Sequence, residues 1–499
     1  MASKKQIHLN FMDLASASSH IGIGGWKDPK DNTILKDKLD YYIWLAKLAE
    51  KGKITSIFFA DTYAVNDKYN GNSDATFRGG QSVAQMDPTI MISAMAAVTK
   101  SLSFAITGNT TYIPQYLLAR TWGTLDHMTG GRVAWNIGTG YSTSAAQAMG
   151  KDSVTPHDKR YAEAHEYIDI MYSFWEGSWE DGLQLFSAEK GAYDPSKIHK
   201  ITFNGEYNKT SAFCQSHPSP QRTPVLFQAG ASPAGKIFCA RHAEAVLATA
   251  TKPEELAALT KEVRAMAVAE SRDPYDIKFY QGMCPILGRT LEEAQAKHQK
   301  AREMADWLGG LATISGFTGV DFAKFPLDEP FDFGGELGDN TVHTMVKAVE
   351  KALQQPNMTP RQLGITFAMC GFRSVTVGTP EMVADVIEDW INIGDADAMN
   401  FLYMSNPGSF EDIVELLVPV LQERGIMWND HAVPGGTMRE NMRRERGTKT
   451  LPSNHPGAQF RYDVLETKYA DERGDIVIDR TKKETKVNGN HVNGVNGHA

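Results

Sequence analysis

The chain has 499 residues, 42% hydrophobic and 22% charged, a balance that supports a large buried core and excludes wholesale disorder. Its 51 Lys and Arg against 60 Asp and Glu leave a net charge of -9, which opposes nucleic acid or an anionic membrane as partner and makes a small molecule the default ligand. At roughly 150 residues per domain, the length fits two or three ordinary domains or one oversized α/β barrel.

Cys214, Cys239, Cys284 and Cys370 are the only cysteines and show no CxxC spacing, as expected in a reducing compartment. The start, MASKKQIHLNFMD, has no secretory apolar core, and no window approaches ~18 uninterrupted apolar residues. The expectation is a cytoplasmic protein with no membrane span.

Along the chain, short β-branched and aromatic runs alternate with stretches of helical period, the pattern of a parallel α/β fold. Strands are predicted over 7–11, 54–60, 103–107, 133–137, 225–229, 245–249, 277–283 and 398–404. Helices are predicted near 36–51, 88–99, 115–128, 158–176, 233–242, 253–270, 290–306, 380–392 and 410–424. Eight strands with helices between them favour a (β/α)8 TIM barrel with long insertions over an open doubly wound sheet.

Residues 178–224 and 307–378 are too long for connections and read as insertions, the second as a lid. The barrel with its insertions is placed at 1–430. The Arg-rich stretch MRENMRRERG opens a solvated extension over 431–472, and a low-complexity tail ending in VNGNHVNGVNGHA is expected to be disordered over 473–499.

In such a barrel, functional groups belong at C-terminal strand ends. Four successive ends are polar: Asp61 closes FFAD, Thr107 lies in AITGNTT, Asn136 in VAWNIGTG, and QAGASPAG follows the fifth strand. In QAGASPAG the small residues Gly230, Ala231 and Ser232 would let backbone amides approach an anion at a helix start, although Ser232 as N-cap before Pro233 explains the same residues without a ligand. His157, Tyr161 and His165 fall at i, i+4 and i+8 of one helix face. A metal helix would need a histidine where Asp169 stands, so no metal site is expected. His157 and Tyr161 at the helix entrance instead offer an imidazole and a phenol to a ligand phosphate. NIGTGYSTSA lacks the third glycine of a dinucleotide fingerprint. His20 in the Gly-rich SSHIGIGGW loop and Gln81 in RGGQSVAQMDP are further candidates facing the mouth.

Taken together, FFAD (58–61), DPTIMISAMAAVT (87–99), TLDHMTGGRVAWNIGTG (124–140), HDKRYAEAHEYI (157–168), WEGSWEDG (175–182), SPQRTPVLFQAGASPAG (219–235) and GTPEMVADVIEDW (378–390) occur in that order. They resemble the bacterial-luciferase-like flavin monooxygenases, in the branch that holds nitrilotriacetate monooxygenase component A, dibenzothiophene-sulfone monooxygenase and long-chain alkane monooxygenase. The resemblance spans about residues 5–460.

It implies a barrel that binds reduced FMN (FMNH2), delivered by a separate NAD(P)H:flavin reductase, and that uses O2 through a C4a-(hydro)peroxyflavin to oxygenate a small organic substrate. By the same resemblance Asp61, Thr107, Asn136, His157, Tyr161, Gly230, Ala231 and Ser232 are expected around FMN, His20 and Gln81 are the catalytic candidates, and a homodimer or homotetramer is implied. The lid would keep the reactive flavin from water. Alternatives on the same fold are a deazaflavin (F420) dependent oxidoreductase and an inactive flavin-binding barrel serving in assembly. The chain departs from the pattern at Gly138 and Gly140, expected to loosen the wall, at Ala231 in place of Ser, and at Tyr141, where alkane-type enzymes carry His.

Overall fold

Parallel strands covered on both faces read as unbroken apolar runs, and the eight runs become eight strands. They are β1 (His8–Leu14), β2 (Ser56–Ala60), β3 (Ser103–Asn109), β4 (Val133–Gly138), β5 (Val225–Gln228), β6 (Ala245–Ala248), β7 (Lys278–Leu287) and β8 (Ala398–Phe401). The computed structural model describes residues 5–17, 21–331, 343–355, 357–444 and 447–481. Every strand pairs in parallel with the next, and β8 returns to β1 with His8 opposite Ala398, so the (β/α)8 barrel is closed.

Alternation along the strands divides the core in two. Met12, Phe58, Ala105, Ala134, Phe227 and Tyr280 fill the lumen, while Phe11, Phe59, Phe104, Trp135, Val246 and Phe279 meet the surrounding helices. Each such large side chain, buried fully, contributes about 1.5–3 kcal/mol. The nine helices expected from periodicity are all present; the fourth runs on through a wider turn over Ser173–Gly177, and the last is likewise interrupted over Ile413–Leu417.

Both insertions carry structure of their own. Within 178–224, Gln184–Ser187 pairs with Gly191–Tyr193, and Ile201–Asn204 pairs with Lys209–Ala212. Within 307–378, helices Trp307–Thr318, His343–Leu353 and Pro360–Cys370 enclose a small core containing Leu311, Ile314, Val349 and Phe367. Ile23, from the loop after β1, joins that core, and Gly309 packs against Gly79, beyond β2. The insertion therefore sits over the strand C-termini. Its last residues, Ser374–Gly378, are a ninth parallel strand on the outer half of β7, with Ser374 opposite Met283.

The C-terminal expectations need correction. Helix Met438–Arg443, far from solvated, carries Met438 and Met442 into the lumen core, while the Met438 amide donates to the Gly131 carbonyl just ahead of β4. Arg439 is fully buried and ion-paired to Glu244, which precedes β6. The segment thus plugs the strand N-termini: an arginine can be buried where a carboxylate and the carbonyls of Thr223 and Lys449 satisfy it. Part of the expected disordered tail is ordered too. Ile476–Asp479 pairs with Ile201–Asn204, driven by burial of alternate Ile476 and Ile478; residues 482–499 lie outside the described residues. Among the described residues no helix is long and apolar enough to cross a membrane.

Candidate active site at the strand C-termini

Asp61, one residue past β2, is held by its neighbours. Its Oδ1 accepts from the Thr62 amide at 2.9 Å and from Gln85 Nε2 at 3.1 Å. Burial first, and then the negative charge of Asp87, push its carboxyl up to about 7. Gln85 and Gln81 belong to a loop pinned to the segment after β1, where Ser16 Oγ donates to the Val83 carbonyl at 2.7 Å and the Met86 amide donates to the Ala15 carbonyl at 2.6 Å. Gln81 is buried and donates to Ser82 Oγ. His20 lies outside the described residues.

At the adjacent ends, Thr107 Oγ1 donates to the Phe59 carbonyl at 3.2 Å and accepts from Asn136 Nδ2 at 3.0 Å. That chain ties β2, β3 and β4 together and leaves Asn136 Oδ1 buried with no partner among the described residues. A buried acceptor of this kind costs free energy unless a donor arrives.

The loop after β5 carries the second cluster. Ser232 Oγ accepts from the Gly235 amide at 3.1 Å and caps helix Pro233–His242, the turn expected without a ligand. The Gly230 amide donates to Gln228 Oε1 and is not free for an anion. The amides of Ala231 and Ser232 make no hydrogen bond among the described residues. Tyr161, nearly buried, closes on this loop: a Cβ on Gly230 would lie 2.6 Å from the phenol oxygen. Burial raises the Tyr161 phenol above its usual value. His157 opens helix His157–Tyr172, its ring 5.2 Å from that of Tyr161 and Nδ1 2.8 Å from Asp158. His165 points elsewhere, 2.9 Å from His242 Nε2. No cluster among the described residues could hold a metal ion.

Sequence reasoning missed Arg160, which looks like a surface residue in HDKRY. It is 3% exposed, its Nη1 donates to the Thr155 carbonyl at 2.6 Å, and burial lowers its guanidinium below the usual value despite Tyr161 and Tyr112 nearby. The expectation of a loosened wall also fails at Gly140, whose Cβ would stand 2.4 Å from the Tyr112 ring. The glycine makes room for an aromatic that fills the space. Tyr141 packs 5.9 Å from Phe317 of the insertion, and burial pushes its phenol up to about 12.

The sequence matches the model of a family, luciferase-like monooxygenase, over residues 17–397. The chain belongs to the luciferase-like monooxygenase family. It is 38% identical to the dimethyl-sulfide monooxygenase of Hyphomicrobium sulfonivorans over 92% of this chain and 94% of that one. It is 36% identical to the long-chain alkane monooxygenase of Geobacillus thermodenitrificans over 92% and 98%. A riboflavin lyase solved with modified FMN and riboflavin superposes with a TM-score of 0.83 at 30% identity, covering 92% of this chain and all of that one. The family is one of flavin-dependent monooxygenases.

Proposed function

We propose that the protein is the oxygenase of a two-component system that binds reduced FMN, takes it from a separate NAD(P)H:flavin reductase, and oxygenates a small organic substrate with O2. The observation that carries this reading is the β5 cradle. The amides of Ala231 and Ser232 and the Ser232 and Tyr161 hydroxyls come together at a helix N-terminus, the chemistry a phosphate needs, with the positive charge of Arg160 acting on Tyr161. Asn136 Oδ1 at the end of β4, without a partner among the described residues, fits a donor on a ring or ribityl chain. When bound, the reduced flavin supplies the activation of O2 and the transfer of one oxygen atom.

The chain's own residues then bind, orient and exclude water. Tyr161, His157 and the Ala231 and Ser232 amides hold the phosphate, with Gly230 giving the phenol room to approach, and Thr107 and Asn136 fix the middle of the cofactor. Asp61, with its carboxyl near neutrality, can hold or release a proton at Oδ2 while Oδ1 stays engaged. On the strength of the resemblance, His20 and Gln81 are the catalytic candidates. The insertion, anchored through Ile23, Gly79 and Tyr141, covers the mouth against water.

Anaerobic titration with FMNH2 tests the proposal, with micromolar or tighter binding expected and tighter binding of reduced than oxidised flavin. Substrate-dependent O2 consumption with an added flavin reductase should follow. No flavin binding overturns the reading, and hydride transfer without O2 uptake would point to a deazaflavin enzyme.

A further inference from the structure

The ninth strand places an unusual cation. Ser374–Gly378 continues the barrel wall above the end of β6, because it pairs with β7 at Met283–Leu287 just beyond the stretch where Lys278–Gln281 of β7 pairs with β6. Along β7, Tyr280, Cys284 and Ile286 belong to the lumen core, so Gly282, in the same alternation, also faces inward. Val375 and Val377 of the ninth strand pack on that same lumen core. Arg373 precedes Val375 by two and shares its face.

The contacts agree: a Cβ on Gly282 would meet Arg373 Cδ at 3.3 Å and Nε at 3.5 Å, and the Ala248 carbonyl oxygen at 3.3 Å. The absence of a side chain at Gly282 lets the arginine stem lie across β7, inside the mouth, beside the C-terminal end of β6.

Three buried arginines of this protein are satisfied by protein groups: Arg439 by Glu244, Arg272 by the carbonyls of Ala240 and Ala243, and Arg132 by four oxygens. Among the described residues the Arg373 guanidinium makes no hydrogen bond and no ion pair. Burial lowers it from its usual value, against the thiols of Cys370 and Cys284 beside it. Arg373 is half-buried, and a guanidinium held in a barrel mouth with no carboxylate paired to it among the described residues is open to an anion that arrives with the ligand.

We propose that Arg373 is a specificity-determining residue and that the substrate carries an anionic group, a carboxylate or a sulfonate, which the guanidinium pairs in the mouth over β6 and β7. This rests on the reading of the barrel mouth as an oxygenase active site and narrows it to anionic organic molecules. The planar guanidinium matches either oxyanion with two parallel N–H donors. The apolar side chains of Val375 and Val377 beside it suit the uncharged part of such a molecule.

The test compares matched pairs on the full-length protein loaded anaerobically with FMNH2. Hexanoate is set against hexanamide, butanesulfonate against butanesulfonamide, and 3-(methylthio)propanoate against its amide, each by calorimetric titration. At least one anion should bind about ten-fold or more tightly than its amide, the scale of one charge-assisted hydrogen bond. Arg373→Gln should remove that preference, Arg373→Lys should restore part of it, and FMNH2 affinity should stay unchanged in both. The proposal is overturned if no pair shows the preference, if the preference survives Arg373→Gln, or if Arg373→Gln loses flavin affinity instead, which would assign the guanidinium to the cofactor. Should the wild type bind no FMNH2, the same pairs titrated into the flavin-free protein still decide Arg373, while the oxygenase reading falls on its own.

Discussion

The phenol oxygen of Tyr161 lies 2.6 Å from where a Cβ on Gly230 would stand. The loop after β5 and the first turns of helix His157–Tyr172 therefore approach too closely for any residue but glycine, and the hydroxyl is held against the loop at Gly230 and Gly235. Gly230→Ala should push the phenol away and weaken FMNH2 binding at least ten-fold. Tyr161→Phe, which keeps the ring and removes the hydroxyl, should cost about 1–3 kcal/mol of flavin binding, as for a hydrogen bond to a charged group. Anaerobic fluorescence titration reads both, and unchanged affinity in Tyr161→Phe would take the hydroxyl off the phosphate.

Asp61 gives a pH signature whose sign is opposite to that of most carboxylates. Folding raises its carboxyl from 3.8 to about 7, so between those values the folded state holds a proton that the unfolded chain has released. Its contribution to stability is complete below about pH 4 and is lost as pH rises through 7. Allowing for partial exposure, the loss is on the order of 2–4 kcal/mol. Urea unfolding of wild type and Asp61→Asn at pH 5 and pH 8 should show the wild type losing more stability than the variant over that interval. Parallel pH profiles for the two proteins would contradict the raised carboxyl.

The barrel was legible because its signals are local. A doubly covered strand such as Val133–Gly138 is an apolar run wherever it lies, and a polar residue at its end is visible without knowing the neighbours. Arg160 and Arg439 were not legible, since a buried arginine and a surface one look alike until the groups satisfying them are brought in from Thr155 or Glu244. The strand Ser374–Gly378 was hidden because five residues after a helix end read as part of a long insertion; only the outer half of β7, which extends past its barrel partners, gives them an edge to pair with. Gly140 misled for the same reason: its empty side is occupied by Tyr112, which comes from the preceding strand end.

Arg439 and Glu244 make the plug at the strand N-termini a stability determinant. Both are buried, the guanidinium donating from Nε at 2.7 Å and from Nη2 at 2.9 Å, and Arg439 holds the Glu244 carboxyl down to about 2 against its burial. Arg439→Ala leaves a buried carboxylate alone and should cost about 3–5 kcal/mol, whereas Arg439→Met with Glu244→Leu should recover most of it. Because the folded value lies below the usual 4.5, the pair's contribution is present above pH 4.5 and lost as pH falls toward 2. Denaturant midpoints of the single and double variants check this, and an Arg439→Ala protein as stable as wild type would show that the plug contributes little.

The last expectation concerns the cover over the mouth. Helices Trp307–Thr318 and Pro360–Cys370 cross so closely that a Cβ on Gly310 would stand 2.1 Å from the Gly364 carbonyl oxygen. That atom is backbone and cannot rotate aside, so Gly310→Ala must part the two helices, at about 1–3 kcal/mol for an overpacked contact. The barrel does not depend on this crossing, since the insertion has its own core around Leu311, Ile314 and Phe367. Amide exchange should therefore accelerate in 307–318 and 360–370 while β1 to β4 keep their protection. With the cover loosened, water reaches the bound flavin, and a larger share of the O2 consumed should appear as H2O2 at nearly unchanged FMNH2 affinity. Equal H2O2 yields in Gly310→Ala and wild type, together with accelerated exchange, would mean that water is excluded by the mouth's own side chains and not by the insertion.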